Sequence, residues 1–300
     1  MPMQTIWSKF RFLLDRPGFR SHPLRTLGRL SLWRLFCLLR YSPSIRLKGL
    51  PLRMSLPPAW HGQAKLIYSL NWCHETDLLA AHRFVASGSV VVDVGSHIGL
   101  WSLVLSQAVQ GAGKVVACEP ADQAFRYLMR NIELNRIPNI FPNRIALSDK
   151  PGYARLYRDV DASRNSLGND PAREHIGFED VPTETLDSVL QRLGVSHVDL
   201  IKIDVEGAEE LVLKGARETL HKSRPVVLFE INRQATASVG LAASGAWRLL
   251  EDMGYEFFEL SEDSRLSPLP APPLGGNVWA CSGAQDRLER LCSALAANQA

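Results

Sequence analysis

Four acidic residues, Asp93, Glu119, Asp204 and Glu230, each end a short apolar run rich in β-branched residues. The runs read VVVD at 90–93, KVVACE at 114–119, VDLIKID at 198–204 and PVVLFE at 225–230. Such runs suit strands buried on both faces of a parallel sheet. Buried carboxylates are costly, so packing gives no reason for four acids to arrive at one sheet edge. A binding site does, because carboxylates there can accept hydrogen bonds from hydroxyls, face a cation or take a proton.

The first acid opens a glycine loop, DVGSHIG at 93–99, with Gly95 and Gly99 at its ends. Its spacing is not the G-x-G-x-x-G of a dinucleotide loop. A strand, a glycine turn and a helix together present a helix N-terminus to a ligand. Glycine lets that ligand lie against the backbone. Asp93 disfavours a phosphate and suits an ammonium, a ribose hydroxyl or an ordered water. A positively charged nucleoside such as S-adenosylmethionine therefore fits better than a pyrophosphate, although an ordinary strand-to-helix turn can carry the same spacing. Glu119 ends the next strand, where an acid can accept from both ribose hydroxyls. Asp204 is placed to orient an acceptor hydroxyl or take its proton, and His97 inside the loop is the second candidate base. Glu230 and Asn232 could converge with Asp204 on a divalent cation, but that ligand set is incomplete and no metal is expected. Glu206 and Glu209 read as acids at a helix start, Glu75 as a charge ahead of a helix, and Asn131 and Asn135 as surface or helix-end residues.

These residues need a scaffold that brings strand ends together. Strand and helix alternate from Val90: strands at 90–93, 114–119, 140–147, 198–205 and 225–231, and helices at 98–109, 121–134, 185–193, 207–220 and 245–253. Further strands fall near 255–260 and 277–281, with a Pro-rich loop between them. Residues 153–158 read as a short strand outside the sheet, and a helix is expected from Asp286. The polar stretch 159–181 is long for a loop and reads as a lid. The alternation predicts a doubly wound α/β sheet, which binds ligands beyond the carboxyl ends of its strands.

Composition bounds the rest. Of the 300 residues, 46% are hydrophobic and 22% charged, ordinary for a globular protein. The five cysteines are scattered, with no zinc-ligand spacing or disulfide framework, which favours a reducing compartment. No apolar run approaches the ~20 residues of a membrane span, and no secretory pattern opens the chain. A cytoplasmic protein is expected. The net charge of +3 hides an asymmetry, because residues 1–53 hold eleven Lys or Arg and a single acid, Asp15. A helix is expected over 24–41, with Arg25, Arg29 and Arg40 on one side and Arg34 opposite. Two readings stand: an interfacial helix drawn to anionic lipid at the inner membrane surface, or a cap packing its Leu and Trp residues on the main domain. The domains expected are a basic, partly helical extension at 1–60 and a main domain at 61–300.

Taken in order, VDVGSHIG (92–99), CEP (118–120), NIELN (131–135), ALSD (146–149), TLD (185–187), DLIKIDVEGAE (199–209) and RPVVLFEIN (224–232) resemble the FkbM-type S-adenosylmethionine-dependent methyltransferases. The resemblance covers roughly 75–281, and its specific part is IKIDVEGAE. Family members commonly carry Ala-Asn where this chain has Ser96 and His97. The resemblance implies a class I methyltransferase fold, Rossmann-like, with a seven-stranded mostly parallel sheet, an antiparallel last strand and helices on both faces. It implies S-adenosylmethionine as cofactor, and methyl transfer to a hydroxyl of a sugar, glycan or natural product. The cofactor set it implies is Glu75, Asp93, Gly95, Ser96, Gly99, Glu119, Ala146 and Asp204, with Ala146 beside the adenine. Asp204, then His97, would act as base. No nucleic-acid partner is expected, and no N/D-P-P-Y-type sequence follows the fourth core strand to suggest an amide or base-nitrogen acceptor. The alternatives are an N- or C-methyltransferase with the same cofactor, or a non-catalytic partner protein that keeps the fold.

Overall fold

The computed structural model describes residues 23–283, apart from 59, 61, 73–74, 161–163, 174 and 262–264. The helix expected from Asp286 and the first 22 residues of the basic segment lie outside the described residues. The chain forms two compact units that divide between Glu75 and Thr76, whereas the sequence reading put its boundary at 60.

In the first unit, a helix at Pro23–Leu39 precedes a small antiparallel pair, β1 (Ser44–Arg46) with β2 (Arg53–Ser55), and a helix at Gln63–Leu70. Trp33 lies against Tyr68 at 5.4 Å between ring centroids, and Phe36 meets the same ring edge-on at 5.6 Å. The Trp72 indole donates to the Lys48 carbonyl at 2.8 Å, giving a buried aromatic its polar partner.

In the second unit the alternating runs become β3 (Val90–Val94), β4 (Lys114–Cys118), β5 (Ile140–Asn143), β9 (Leu200–Ile203) and β10 (Val226–Asn232). Between β5 and β9 the chain forms a second sheet from β6 (Ala146–Leu147), β7 (Gly152–Asp159) and β8 (His175–Glu184). After β10 come β11 (Tyr255–Leu260), β12 (Leu266–Pro268) and β13 (Gly275–Ser282). The main sheet runs β12-β11-β13-β10-β9-β3-β4-β5. β5, β4, β3, β9 and β10 are mutually parallel, and β13 enters antiparallel beside β10. The sheet thus has eight strands, not the seven expected. The extra strand is the three-residue β12, inside the Pro-rich stretch read as a loop. It pairs only with β11, and the edge is where a strand tolerates Pro268.

Two other expectations are corrected. The run 140–147 is not one strand, because residues 144–145 carry the chain from β5 in the main sheet to β6 in the second. The stretch 159–181 is not all loop, since its second half is β8, paired antiparallel along β7.

Alternate strand residues face opposite layers. Val92, Val94, Ile201, Ile203 and Phe229 pack with Val189, Val212, Leu213 and Trp247 from the helices at 186–192, 209–214 and 245–252. Trp279 faces a different helix, Thr76–Phe84, and its indole donates to Asp77 Oδ1 at 2.7 Å.

Candidate active site

Register brings two oppositely charged side chains together in the sheet. β3 and β9 align with Asp93 beside Lys202, two residues after Val91 pairs with Leu200. The Lys202 side chain is 7% exposed and Asp93 is fully buried. Lys202 Nζ is 3.3 Å from Asp93 Oδ1, donates to the Gly95 carbonyl at 3.1 Å and lies 3.5 Å from Asp204 Oδ2. The Ser102 hydroxyl donates to Asp93 Oδ2 at 2.6 Å. A buried charge needs a partner and further hydrogen bonds, and Asp93 has both. The cation beside Asp93 is therefore the protein's own ammonium, which the sequence reading did not identify.

The glycine loop is tied at nearly every residue. The amides of Gly95 and Ser96 both donate to the Cys118 carbonyl, at 2.9 and 3.0 Å. His97 N–H donates to Glu119 Oε2 at 2.8 Å, and the Asn131 amide donates to the Ile98 carbonyl at 2.9 Å. Asn131, expected at the surface or at a helix end, is fully buried in the second half of the helix Asp122–Asn135. A Cβ on Gly95 would stand 1.9 Å from the Asp204 carbonyl oxygen, at a φ of +76°. Gly95 is thus required where two strand ends touch, before any ligand is considered. A Cβ on Gly99 would meet only the Leu128 side chain, at 2.6 Å. Ser96 is 3% exposed, and its hydroxyl has no hydrogen-bond partner among the described residues. A buried hydroxyl left unpaired costs free energy, and a ligand that supplied the missing partner would relieve it.

Glu119 Oε1 accepts from Ala121 N–H at 2.9 Å while Oε2 holds His97. Each oxygen keeps a second lone pair for a ligand hydroxyl. Burial pushes the Glu119 carboxyl up to about 7, against the two amide hydrogen bonds that favour its ionised form. His97 has a positive φ of 51°, and burial with the nearby Lys202 charge pulls its imidazole down to about 3. So weak a base is poorly suited to take a hydroxyl proton near neutral pH.

Asp204 differs from its neighbours. Its amide donates to the Val94 carbonyl at 3.1 Å, which fixes the backbone, yet its carboxylate is 49% exposed. Around it lie more acids. Glu209 Oε1 accepts from the amides of Gly207 and Val205 at 3.1 and 3.4 Å, so it holds the turn after β9, and burial pushes it up to about 7. Burial first, then the charges of Asp204, Glu206 and Glu209, push Glu230 up to about 8. That shift favours the protonated form of Glu230, which can donate a hydrogen bond. Asn232 is engaged, its side-chain oxygen accepting from Ala235 N–H at 3.2 Å. Among the described residues no three His, Cys, Asp or Glu side chains are grouped to hold a metal ion.

The connection from β7 to β8 is clamped onto this edge. The Ser166 hydroxyl donates to the Glu206 carbonyl at 2.7 Å. Arg173, largely buried, pairs with Glu206 Oε2 at 3.0 Å and Asp170 Oδ2 at 3.4 Å, and Gln234 donates to Asp170 at 2.9 Å. Ala146 is in β6 of the second sheet, opposite Thr183. Glu75 ends the first unit, where Gln63 donates to it at 3.4 Å.

The sequence model of the methyltransferase FkbM domain matches 93–257, from the glycine loop to β11. Methyltransferase sdnD of Sordaria araneosa is 30% identical over 193 residues, which are 52% of this chain and 70% of that protein. The AMB antimetabolite synthetase AmbE of Pseudomonas aeruginosa is 31% identical over 204 residues, 56% of this chain but 10% of that much longer protein. Among solved structures, the FkbM methyltransferase of Methylobacillus flagellatus is 14% identical, with a TM-score of 0.43 over 88% of this chain and 60% of that one.

Proposed function

The chain belongs to the FkbM methyltransferase family, and from that premise we propose that it is an S-adenosylmethionine-dependent O-methyltransferase acting on a hydroxyl of a sugar, glycan or natural product. The observation that carries the reading is the contrast at the carboxyl edge: Lys202 pairs with both Asp93 and Asp204, but Asp93 is fully buried while the Asp204 carboxylate stays 49% exposed.

The cofactor fits the residues present. Ser96 offers a buried hydroxyl lacking a partner, and Glu119 offers two free lone pairs beside the loop it holds. These two, with the backbone of 95–99, would hold it. When bound, S-adenosylmethionine supplies an electrophilic methyl group on a sulfonium. The protein's own work is then placement and proton transfer. Asp204 accepts the hydroxyl proton of the acceptor as its oxygen becomes a nucleophile. Lys202 faces the Asp204 carboxylate and grips the glycine loop through Gly95, so base and cofactor loop keep one geometry. Protonated Glu230 supports the acceptor as a hydrogen-bond donor. His97 serves through its amide, not as a base.

Incubating the full chain with methyl-labelled S-adenosylmethionine and fractionated cell extracts tests this. Label is expected in a hydroxyl-bearing small molecule or glycan as a base-stable methyl ether. Label in a nitrogen or carbon product would favour the N- or C-methyl alternative. Cofactor binding without transfer to any fraction would favour the non-catalytic one.

A further inference from the structure

The helix Pro23–Leu39 is apolar on two sides, and among the described residues only one of them has a partner. Trp33 and Thr26, at 1% and 3% exposure, mark the packed side. There the aromatic ring of Tyr68 receives Trp33, Phe36 and the Arg29 guanidinium. At about 100° per residue, Leu24, Leu27, Leu32, Leu35, Leu38 and Leu39 all fall in one sector of about 140° on the opposite side. All six are exposed, Leu24 by 84% and Leu38 by 80%. Ser31 shares this sector, and its hydroxyl donates back to the Leu27 carbonyl at 3.2 Å, so it needs no water. Gly28 also lies in it, with open space where a Cβ would stand. On the same wheel Arg25 and Arg34 stand about 20° beyond the two edges of the sector. The opposition of Arg34 to the other arginines, which looks like a flaw in the sequence, is what gives the stripe a cation on each side.

We propose that this leucine stripe seats in the interface of an anionic lipid bilayer, with Arg25 and Arg34 reaching the phosphate headgroups on either side. Long basic side chains can lay their stems along the apolar boundary and keep their charges in the headgroup layer. The charge balance selects the occupant. Eleven Lys or Arg stand against one acid in residues 1–53, and each basic residue near an anionic surface adds to the attraction. A second copy would bring two basic segments face to face. A protein partner is expected to meet more aromatic and polar anchors than a bare leucine stripe offers. No helix among the described residues is long and apolar enough to cross a membrane, so the contact is along the surface.

Flotation of the full chain with lipid vesicles tests this. At low salt the protein is expected to float with vesicles of phosphatidylcholine containing one-third phosphatidylglycerol, to stay behind with phosphatidylcholine alone, and to be largely released by high salt. The triple variant Leu24→Gln, Leu35→Gln, Leu38→Gln should lower partitioning at least about tenfold, since each leucine gives up apolar burial. Arg25→Gln with Arg34→Gln should lower it about tenfold through charge alone, which keeps the test decisive if the leucine variant folds poorly. Wild-type protein that ignores the anionic vesicles overturns the proposal. So do both variants floating as well as wild type. Sedimentation that shows a wild-type dimer, lost in the leucine variant, with no flotation of either, would make the stripe a contact between copies and overturn it as well.

Discussion

Lys202 Nζ lies 3.3 Å from Asp93 Oδ1 because β3 and β9 place the two residues side by side in adjacent parallel strands. Breaking a buried pair by removing one member strands the other charge, at about 3–5 kcal/mol. Lys202→Met is expected to lose that much stability in urea denaturation. Adding Asp93→Asn should restore part of it, because the stranded charge is then gone. A loss below about 1 kcal/mol for Lys202→Met would show that Asp93 is held by Ser102 alone.

Gly95 and Gly99 should separate in stability. Gly95→Ala forces a Cβ against the Asp204 carbonyl oxygen and is expected to cost more than about 3 kcal/mol or to prevent folding. Gly99→Ala meets a side chain that can rotate, and should cost about 1–2 kcal/mol for its left-handed backbone. Equal melting temperatures would mean that the close approach of residue 95 to β9 is relaxed in solution.

Much of the site was legible in the sequence because chemistry and backbone both leave marks there. Asp93 lies one residue before the end of β3, Glu119 and Asp204 one residue past β4 and β9, and Glu230 two residues before the end of β10, and the parallel order follows from the alternation of runs. Three things were not legible. Lys202 reads as an ordinary charge in IKID until the register of β3 and β9 sets it against Asp93. Asn131 reads as a surface or helix-end residue until the Ile98 carbonyl needs a buried donor. Gly95 reads as a ligand cradle, yet the atom it yields to belongs to Asp204. Each depends on a neighbour more than twenty residues away in the chain, which local pattern does not encode.

Stability should fall as pH rises through neutrality. Glu119, Glu209 and Glu230 ionise at about 7, about 7 and about 8 in the folded protein, above the ordinary 4.5. A carboxyl raised in this way binds its proton more tightly when folded. Its contribution is fully present below the unfolded value and is lost as pH climbs through the folded one. Glu230→Gln removes one such group. Relative to wild type it should gain on the order of 3 kcal/mol at a pH of about 8 over a pH of about 5.5, read by urea denaturation. Parallel curves for the two proteins would mean that Glu230 is not held protonated.

Asp204→Asn should separate chemistry from binding. Turnover is expected to fall about 10²–10⁴-fold, the range for a lost general base. Affinity for S-adenosylmethionine should change less than about tenfold, because in the proposed arrangement Ser96, Glu119 and the 95–99 backbone hold the cofactor and Asp204 works on the acceptor. Collapsed affinity with near-normal single-turnover transfer at saturating cofactor would make Asp204 a cofactor ligand and send the search for a base to Glu230.

Titration calorimetry of S-adenosylmethionine and S-adenosylhomocysteine into wild type and Ser96→Ala bears most directly on a cofactor seated at the carboxyl ends of β3 and β4. The Ser96 hydroxyl is buried with no partner among the described residues. Its removal should leave stability unchanged or slightly higher while weakening both ligands by about 0.5–1.5 kcal/mol. That opposition of signs is the expected result. Wild-type protein that binds neither ligand, or Ser96→Ala that loses stability and keeps full affinity for both, would contradict it.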